Sequence, residues 1–252
     1  MPAASTIRER LRRAAHAAGV EPQAAAVYRL FDRTAARDHR DNEHLTAILA
    51  ACLAEDANCV DVGAHSGAVL RDIVRCAPSG RHIAYEPLPE FAAALAREFP
   101  SVDVHHAAVS DAAGEHEFTY VVSDPMQSRL LETGGAPPMT GEVRRLSVRT
   151  ERLDDSLPED YVPTLIKVDV EGAETAVFRG ALETLRRHRP MVVFEHGLGG
   201  ADRYGSGPDD VWDLLAGELG FRIYDLDGRG PYSRPEFEAV FTRPIWNFIA
   251  RP

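Results

Sequence analysis

Cys59-Val60-Asp61-Val62-Gly63-Ala64-His65-Ser66-Gly67 decides how this chain is read. A short strand of buried type runs into a turn of small residues, and an apolar helical stretch, Ala68–Cys76, follows. Glycine reaches backbone conformations that a Cβ forbids, and small residues let a ligand approach the main chain closely. The start of the helix adds N–H groups that lack intrahelical partners. The spacing is neither GxGxxG nor a P-loop, since no Lys-Ser/Thr follows, so phosphate is not the implied ligand. Asp61, in acidic surroundings, instead suits a cationic, amino-acid-like group.

Strand and helix patterns alternate downstream. Strands are expected at Cys59–Val62, Ile83–Tyr85, Val102–His105, Leu165–Val168 and Met191–Phe194, and helices at Ala68–Cys76, Glu90–Phe99 and Glu174–His188. Such alternation builds a mostly parallel sheet with helices on both faces, and ligands bind at the carboxyl ends of its strands. Two further strand-like runs, Glu117–Val122 and Val143–Arg149, flank a loop rich in Gly and Pro, which reads as a lid or substrate loop. In that loop Met126, Gln127 and Arg129 are candidates for acceptor contact. The tail adds a helix at Val211–Glu218 and strands at Phe221–Tyr224 and Ile245–Ala250.

Upstream, residues 1–56 read as a helical extension and 57–252 as one α/β domain. Ile7, Leu11, Ala14, Ala15 and Ala18 share a helical face that Gly19 to Pro22 breaks. Leu45, Ile48, Leu49, Cys52 and Leu53 follow the i, i+3, i+4, i+7, i+8 pattern, with Asp41 or Asn42 as cap and polar Arg33–Arg40 as a loop before it.

With 28 basic and 39 acidic residues the formal charge is −11. That balance argues against a general binder of nucleic acid or of a membrane surface. Three cysteines without CxxC spacing suit a reducing compartment, and no apolar run is long enough to span a bilayer, so a cytoplasmic protein is expected. Lysine occurs once, at Lys167; with the alanine richness, this reads as coding bias.

Three successive strand ends carry the ligand reading. Gly63 and Gly67 open the turn after Asp61. Glu86, in Tyr85-Glu86-Pro87, can accept hydrogen bonds from both hydroxyls of a ribose. Ser110 and Asp111 can meet an adenine amino group. Each piece alone also fits a strand–helix turn, a solvated strand end or a turn cap. Together they read amino acid, ribose and base, which S-adenosylmethionine combines.

The sequence resembles the FkbM family of S-adenosylmethionine-dependent methyltransferases. The resemblance lies in Asp41-Asn42-Glu43, Asp61 through Gly67, Tyr85-Glu86-Pro87, Ala108-Val109-Ser110-Asp111 and Leu153-Asp154-Asp155. Its most specific stretch is Ile166-Lys167-Val168-Asp169-Val170-Glu171-Gly172-Ala173-Glu174. It implies a class I methyltransferase fold of seven strands whose last, Ile245–Ala250, is antiparallel. It also implies methylation of a hydroxyl on a sugar or natural product. Where His65 stands, the family usually has Asn and the wider fold often Gly; His65 either meets the methionine part of the cofactor or the acceptor, or is a tolerated polar substitution.

A hydroxyl must lose its proton as it attacks the methyl group, to a base or with the help of a metal. Asp169 and Glu171 alternate along an extended chain and so should point the same way. Glu195 and His196 end the next strand. One expectation makes Glu171 or His196 the base, with Asp169 in the cofactor site. The other has Asp169 and Glu195 hold a divalent ion such as Mg²⁺. Rival readings are a catalytically impaired cofactor-binding module and a nicotinamide-dependent sugar-modifying enzyme, which lacks its phosphate-cradling turn here. The expected partners are a small-molecule acceptor and a second copy of the chain met through the N-terminal helices, with no nucleic acid and no membrane.

Overall fold

The computed structural model describes residues 33–121, 129–130, 143–197, 201–243 and 245–252. The chain forms two compact units, Met1–Glu43 and His44–Pro252. The helix expected around Ile7–Ala18 lies outside the described residues, as do Met126 and Gln127. Arg33–Arg40 is not a loop: helix α1 runs Arg33–Cys52, and Asp41 sits inside it rather than at its cap. Arg37 Nε donates to Asp41 Oδ2 at 2.9 Å, one helical turn on, which offsets the polarity that suggested a loop.

In the larger unit the chain runs β1 (Cys59–Val62), α2 (Ala68–Cys76), β2 (His82–Tyr85), α3 (Pro89–Glu98) and β3 (Val102–His105). Next come β4 (Ala108–Val109), β5 (Gly114–Val121), β6 (Arg129–Leu130), β7 (Val143–Glu151) and α4 (Leu153–Ser156). The last part holds β8 (Leu165–Val168), α5 (Glu174–Arg179), α6 (Leu182–His188), β9 (Met191–Glu195), α7 (Pro208–Trp212), β10 (Arg222–Asp225), α8 (Arg234–Phe241) and β11 (Asn247–Arg251). A π-helical turn, Asp213–Glu218, extends α7.

Seven strands make one sheet in the order β10-β11-β9-β8-β1-β2-β3. β11 is antiparallel to both of its neighbours, while β1, β2, β3, β8 and β9 run parallel. Parallel strands covered on both faces need near-continuous apolar runs, and period-2 alternation then sorts each side chain to one face. Val60, Val62, Ile166, Val168, Val192 and Phe194 meet Val177, Phe178, Leu185, Val211 and Phe237 on one side. Cys59, Leu165 and Val193 meet Leu45, Leu49 and Ile73 on the other. Burying each such aliphatic side chain contributes roughly 1.5–3 kcal/mol. The same alternation puts Asp61 and Lys167, paired in register on β1 and β8, on the α1/α2 side at the carboxyl end of the sheet.

β4 leaves the main sheet and joins a second one, in the order β4-β7-β5-β6. The third strand of the main sheet therefore ends at His105, whose carbonyl accepts from Glu86 N, and Ser110 and Asp111 instead follow a strand of the second sheet. The helix expected over Glu174–His188 is broken at Gly180. A Cβ there would stand 2.0 Å from the Ser110 carbonyl oxygen, so the backbone of β4's exit passes directly against the helix. Gly180 O turns to accept from Asp154 N, and the Asp154 carboxylate accepts from Glu183 N and Thr184 N, capping α6 from outside the helix. Among the described residues no helix is long and apolar enough to cross a membrane. Cys52, Cys59 and Cys76 are all free thiols.

Gly180→Ala should destabilise the protein by about 1–3 kcal/mol, the usual range for overpacking, although its φ of −75° suits any residue. Urea unfolding followed by circular dichroism measures this, and an unchanged midpoint would show that the contact yields freely.

Candidate active site

β1 ends in Val62, and Gly63 then turns at φ 76°. A Cβ at Gly63 would lie 1.9 Å from the Asp169 carbonyl oxygen, so this turn packs backbone to backbone on the segment after β8. Gly67, at φ 75°, precedes α2; a Cβ there would meet Leu95 and Phe99 at 2.8 Å. Its smallness thus serves packing against α3.

His65 also takes a left-handed conformation, φ 47°. Asn, Asp and His are the non-glycine residues enriched there, so His occupies this corner at little strain. Its ring is exposed and lies 4.2 Å from the Phe91 ring, between centroids. Partial desolvation on the Phe91 side pushes the imidazole pKa down, partly opposed by Asp169. Its backbone N–H donates to Glu86 Oε2 at 2.8 Å, and Leu88 N–H donates to Oε1 at 2.9 Å. Glu86 is almost fully buried, and burial raises its pKa against those two bonds. Each of its oxygens keeps an acceptor position.

Asp61 departs from expectation. It is not on the surface of the turn: its side chain has no exposure, and its partner is Lys167 Nζ at 3.1 Å. Neither carboxylate oxygen has a well-aligned hydrogen-bond donor. Burial raises its pKa, with Lys167 opposing. Lys167 also donates to Gly63 O at 2.7 Å and stands 3.6 Å from Asp169 Oδ2. Burial works against its charge, but Asp61, Asp169 and Glu195 outweigh that and hold it protonated. Read as coding bias in the sequence, Lys167 stands instead at the centre of the candidate site. The available signal was a single lysine, amid arginines, inside an apolar strand.

Asp169 and Glu195 follow the paired positions Val168 and Phe194, so they end adjacent parallel strands on the Lys167 face. Asp169 keeps 37% of its side chain exposed. Glu195 is pushed up to about 9, first by burial and then by Asp169, Glu171 and Glu174. The expected acidic bowl therefore gathers Asp169, Glu171 and Glu195. Glu171 reaches it by another route than alternation: the strand has ended, and Glu171 (φ 57°) and Gly172 (φ 113°) form a turn.

His196 does not face this bowl. Its side chain is fully buried, with Nδ1 3.1 Å from Glu174 Oε2 and Nε2 3.3 Å from Gly207 O. The ring lies beside Phe241, 5.1 Å between centroids. Both nitrogens are engaged, so the base role expected for His196 has no geometry behind it. Glu174, also buried, accepts from Gly172 N–H at 2.8 Å and so ties His196 to the Glu171 turn. Ser110 and Asp111 directly follow β4; Ser110 Oγ donates to Asp111 Oδ1 at 3.3 Å.

The donor set does not fit a metal. Asp169 is already held beside the ammonium of Lys167, Glu195 keeps its proton at neutral pH, and no three His, Cys, Asp or Glu are placed to hold a metal ion among the described residues.

This sheet, with one antiparallel strand second from its edge, has the class I methyltransferase fold, with acids and glycines at the carboxyl ends of β1, β2, β8 and β9. The sequence matches the methyltransferase FkbM domain over residues 61–223, and the chain belongs to that family. No curated protein matches it. Among solved structures, methyltransferase FkbM from Methylobacillus flagellatus KT is 14% identical with a TM-score of 0.49, over 79% of this chain and 44% of that one. This chain thus spans less than half the length of that relative. Precorrin-6y C5,15-methyltransferase from Geobacter metallireducens GS-15 is 13% identical, TM-score 0.44, over 81% and 86%. The plantazolicin methyltransferase BpumL in complex with SAH is 9% identical, TM-score 0.46, over 92% and 90%.

Glu195 links this site to stability. Between its ordinary 4.5 and about 9, the folded chain keeps a proton that the unfolded chain has released, so stability falls as pH rises through that window. Glu195→Gln should therefore melt higher than the parent at about pH 8, with the gap closing toward about pH 4. Melting curves at several pH values check this, and a gap independent of pH contradicts it.

Proposed function

We propose that the protein binds S-adenosylmethionine across the carboxyl ends of β1, β2 and β8 and transfers its methyl group to a hydroxyl of a small molecule, a sugar or natural product. The observation that carries the reading is the convergence of the Gly63 turn, Glu86 and the acidic edge in a chain of the FkbM family. The two free acceptor positions on Glu86 suit a pair of ribose hydroxyls. The chain fits the positive methionine end with Asp169, the exposed carboxylate beside the turn. Ser110 and Asp111 are assigned to the adenine.

Bound cofactor supplies a methyl group activated on a sulfonium. The chain's task is to hold an acceptor oxygen in line behind that carbon, and alignment of this kind is worth at most about 7–11 kcal/mol. The acceptor hydroxyl would give up its proton to a carboxylate of the edge as it took the methyl group. Glu171 is assigned that role, because His196 is enclosed and Glu195 already carries a proton at neutral pH. Protonated Glu195 can donate a hydrogen bond, so the edge offers both an acceptor and a donor to a polyhydroxylated substrate. The net charge of −11 supports a neutral or cationic small acceptor over a nucleic acid. Residues 1–56 are assigned to pairing of two copies, and the cytoplasm to its location.

Glu86→Ala should weaken binding of both S-adenosylmethionine and its demethylated product by about 10–100-fold, the loss of one or two hydrogen bonds to a charged group. Glu171→Gln should leave binding intact and slow methyl transfer by about 10²–10⁴-fold. Calorimetry reads the first, and transfer of radiolabelled methyl to an acceptor pool reads the second. No binding to the parent protein at millimolar cofactor rejects the reading.

A further inference from the structure

We infer that Lys167 is a positioning residue for the methionine end of the cofactor, acting through the Gly63 turn and Asp169; the inference rests on the cofactor reading above. Lys167 is the chain's single lysine and is almost completely enclosed. A buried ammonium needs acceptors and opposite charge around it, and here they come from different parts of the cleft floor. One bond, 2.7 Å, goes to the carbonyl of Gly63, the first residue of the left-handed turn. Asp61 lies at 3.1 Å, in register across the sheet, and Asp169 at 3.6 Å, where the chain leaves β8.

Two further contacts make these links geometric. Asp169 N–H donates to Val62 O at 3.1 Å, and the Gly63 Cα lies against the Asp169 carbonyl, where even a Cβ has no room. The turn and the segment after β8 are thus two walls stitched together by main chain, with Lys167 Nζ beneath both. Asp61 neutralises the lysine from below and has no contact role of its own, being unexposed. Asp169 is the member of the trio that reaches the surface. Lys167 therefore sets both the shape of the turn and the aim of Asp169, a partly exposed carboxylate able to meet a sulfonium or an ammonium group.

A merely structural ion pair predicts something different. Exchanging a buried pair for uncharged residues of similar volume is often neutral for stability, whereas removing one partner leaves a buried charge unpaired. Asp61→Asn with Lys167→Met should accordingly melt close to the parent, while Lys167→Met alone melts lower. If Lys167 positions the site, the folded double variant loses affinity for both S-adenosylmethionine and S-adenosylhomocysteine by about tenfold or more. A second arm needs no mutation. Protein made with ¹³C,¹⁵N-lysine carries one labelled side chain, and its Cε signal should shift saturably on titration with S-adenosylhomocysteine, with the dissociation constant found by calorimetry. A folded double variant that binds both ligands within about twofold of the parent overturns the inference. So does a lysine signal that stays still while calorimetry records binding, and this arm decides should the double variant not fold. A parent protein that binds neither ligand overturns the cofactor reading instead.

Discussion

A carboxylate and an ammonium group, both cut off from water between two parallel strands, are the constraint on which this structure depends. Asp61 and Lys167 face each other in register, each unaffordable alone in an apolar sheet. Once paired, they favour β1 and β8 as neighbours at the centre of the sheet, since Asp61 has Lys167 as its counter-charge. The pair sits at the carboxyl end, where the helices diverge and the loops begin. The polar interior is therefore concentrated where a ligand has to be held, and the opposite face of the sheet remains wholly apolar around Val62, Val168 and Phe194.

Charge decreases in a graded way away from that centre. Asp61 is sealed, Asp169 is partly exposed, and Glu195 stands among three other acids and resists ionisation. Burial, together with the acids around it, leaves a proton on Glu195. The buried contact between Glu174 and His196 steadies the outer rim from behind. Two histidines that look interchangeable in sequence thus have unlike duties, His65 open at the turn and His196 enclosed against Phe241.

Much of the fold was legible because period and composition act locally. The β1, β3 and β8 boundaries follow from short apolar runs bounded by turns, and the antiparallel last strand follows from the family resemblance. What escaped depends on distant partners. The break in Glu174–His188 comes from Ser110, some 70 residues earlier in the chain, pressing on Gly180. The second sheet captures β4 through β7, which no periodicity announces. Helix α8 was missed although Ser233 and Glu236 form a capping box, a local signal that was there to be read. In the site, residue types pointed to the correct corners, but direction did not follow. Asp61 and His196 turn inward because of Lys167 and Glu174, and no spacing rule encodes which way a strand-end side chain will lean.

The left-handed corner at His65 limits what can stand there. A backbone with φ near 47° admits glycine, asparagine, aspartate or histidine with little strain and penalises β-branched or bulky apolar side chains. Variation at this point of the cleft is therefore filtered by main-chain geometry before chemistry is tried. The admissible set is almost entirely hydrogen-bonding, so drift at this one residue samples polarity, size and protonation but hardly ever greasiness. A left-handed corner of this kind can exchange its side chain within that set without redesigning the loop that carries it.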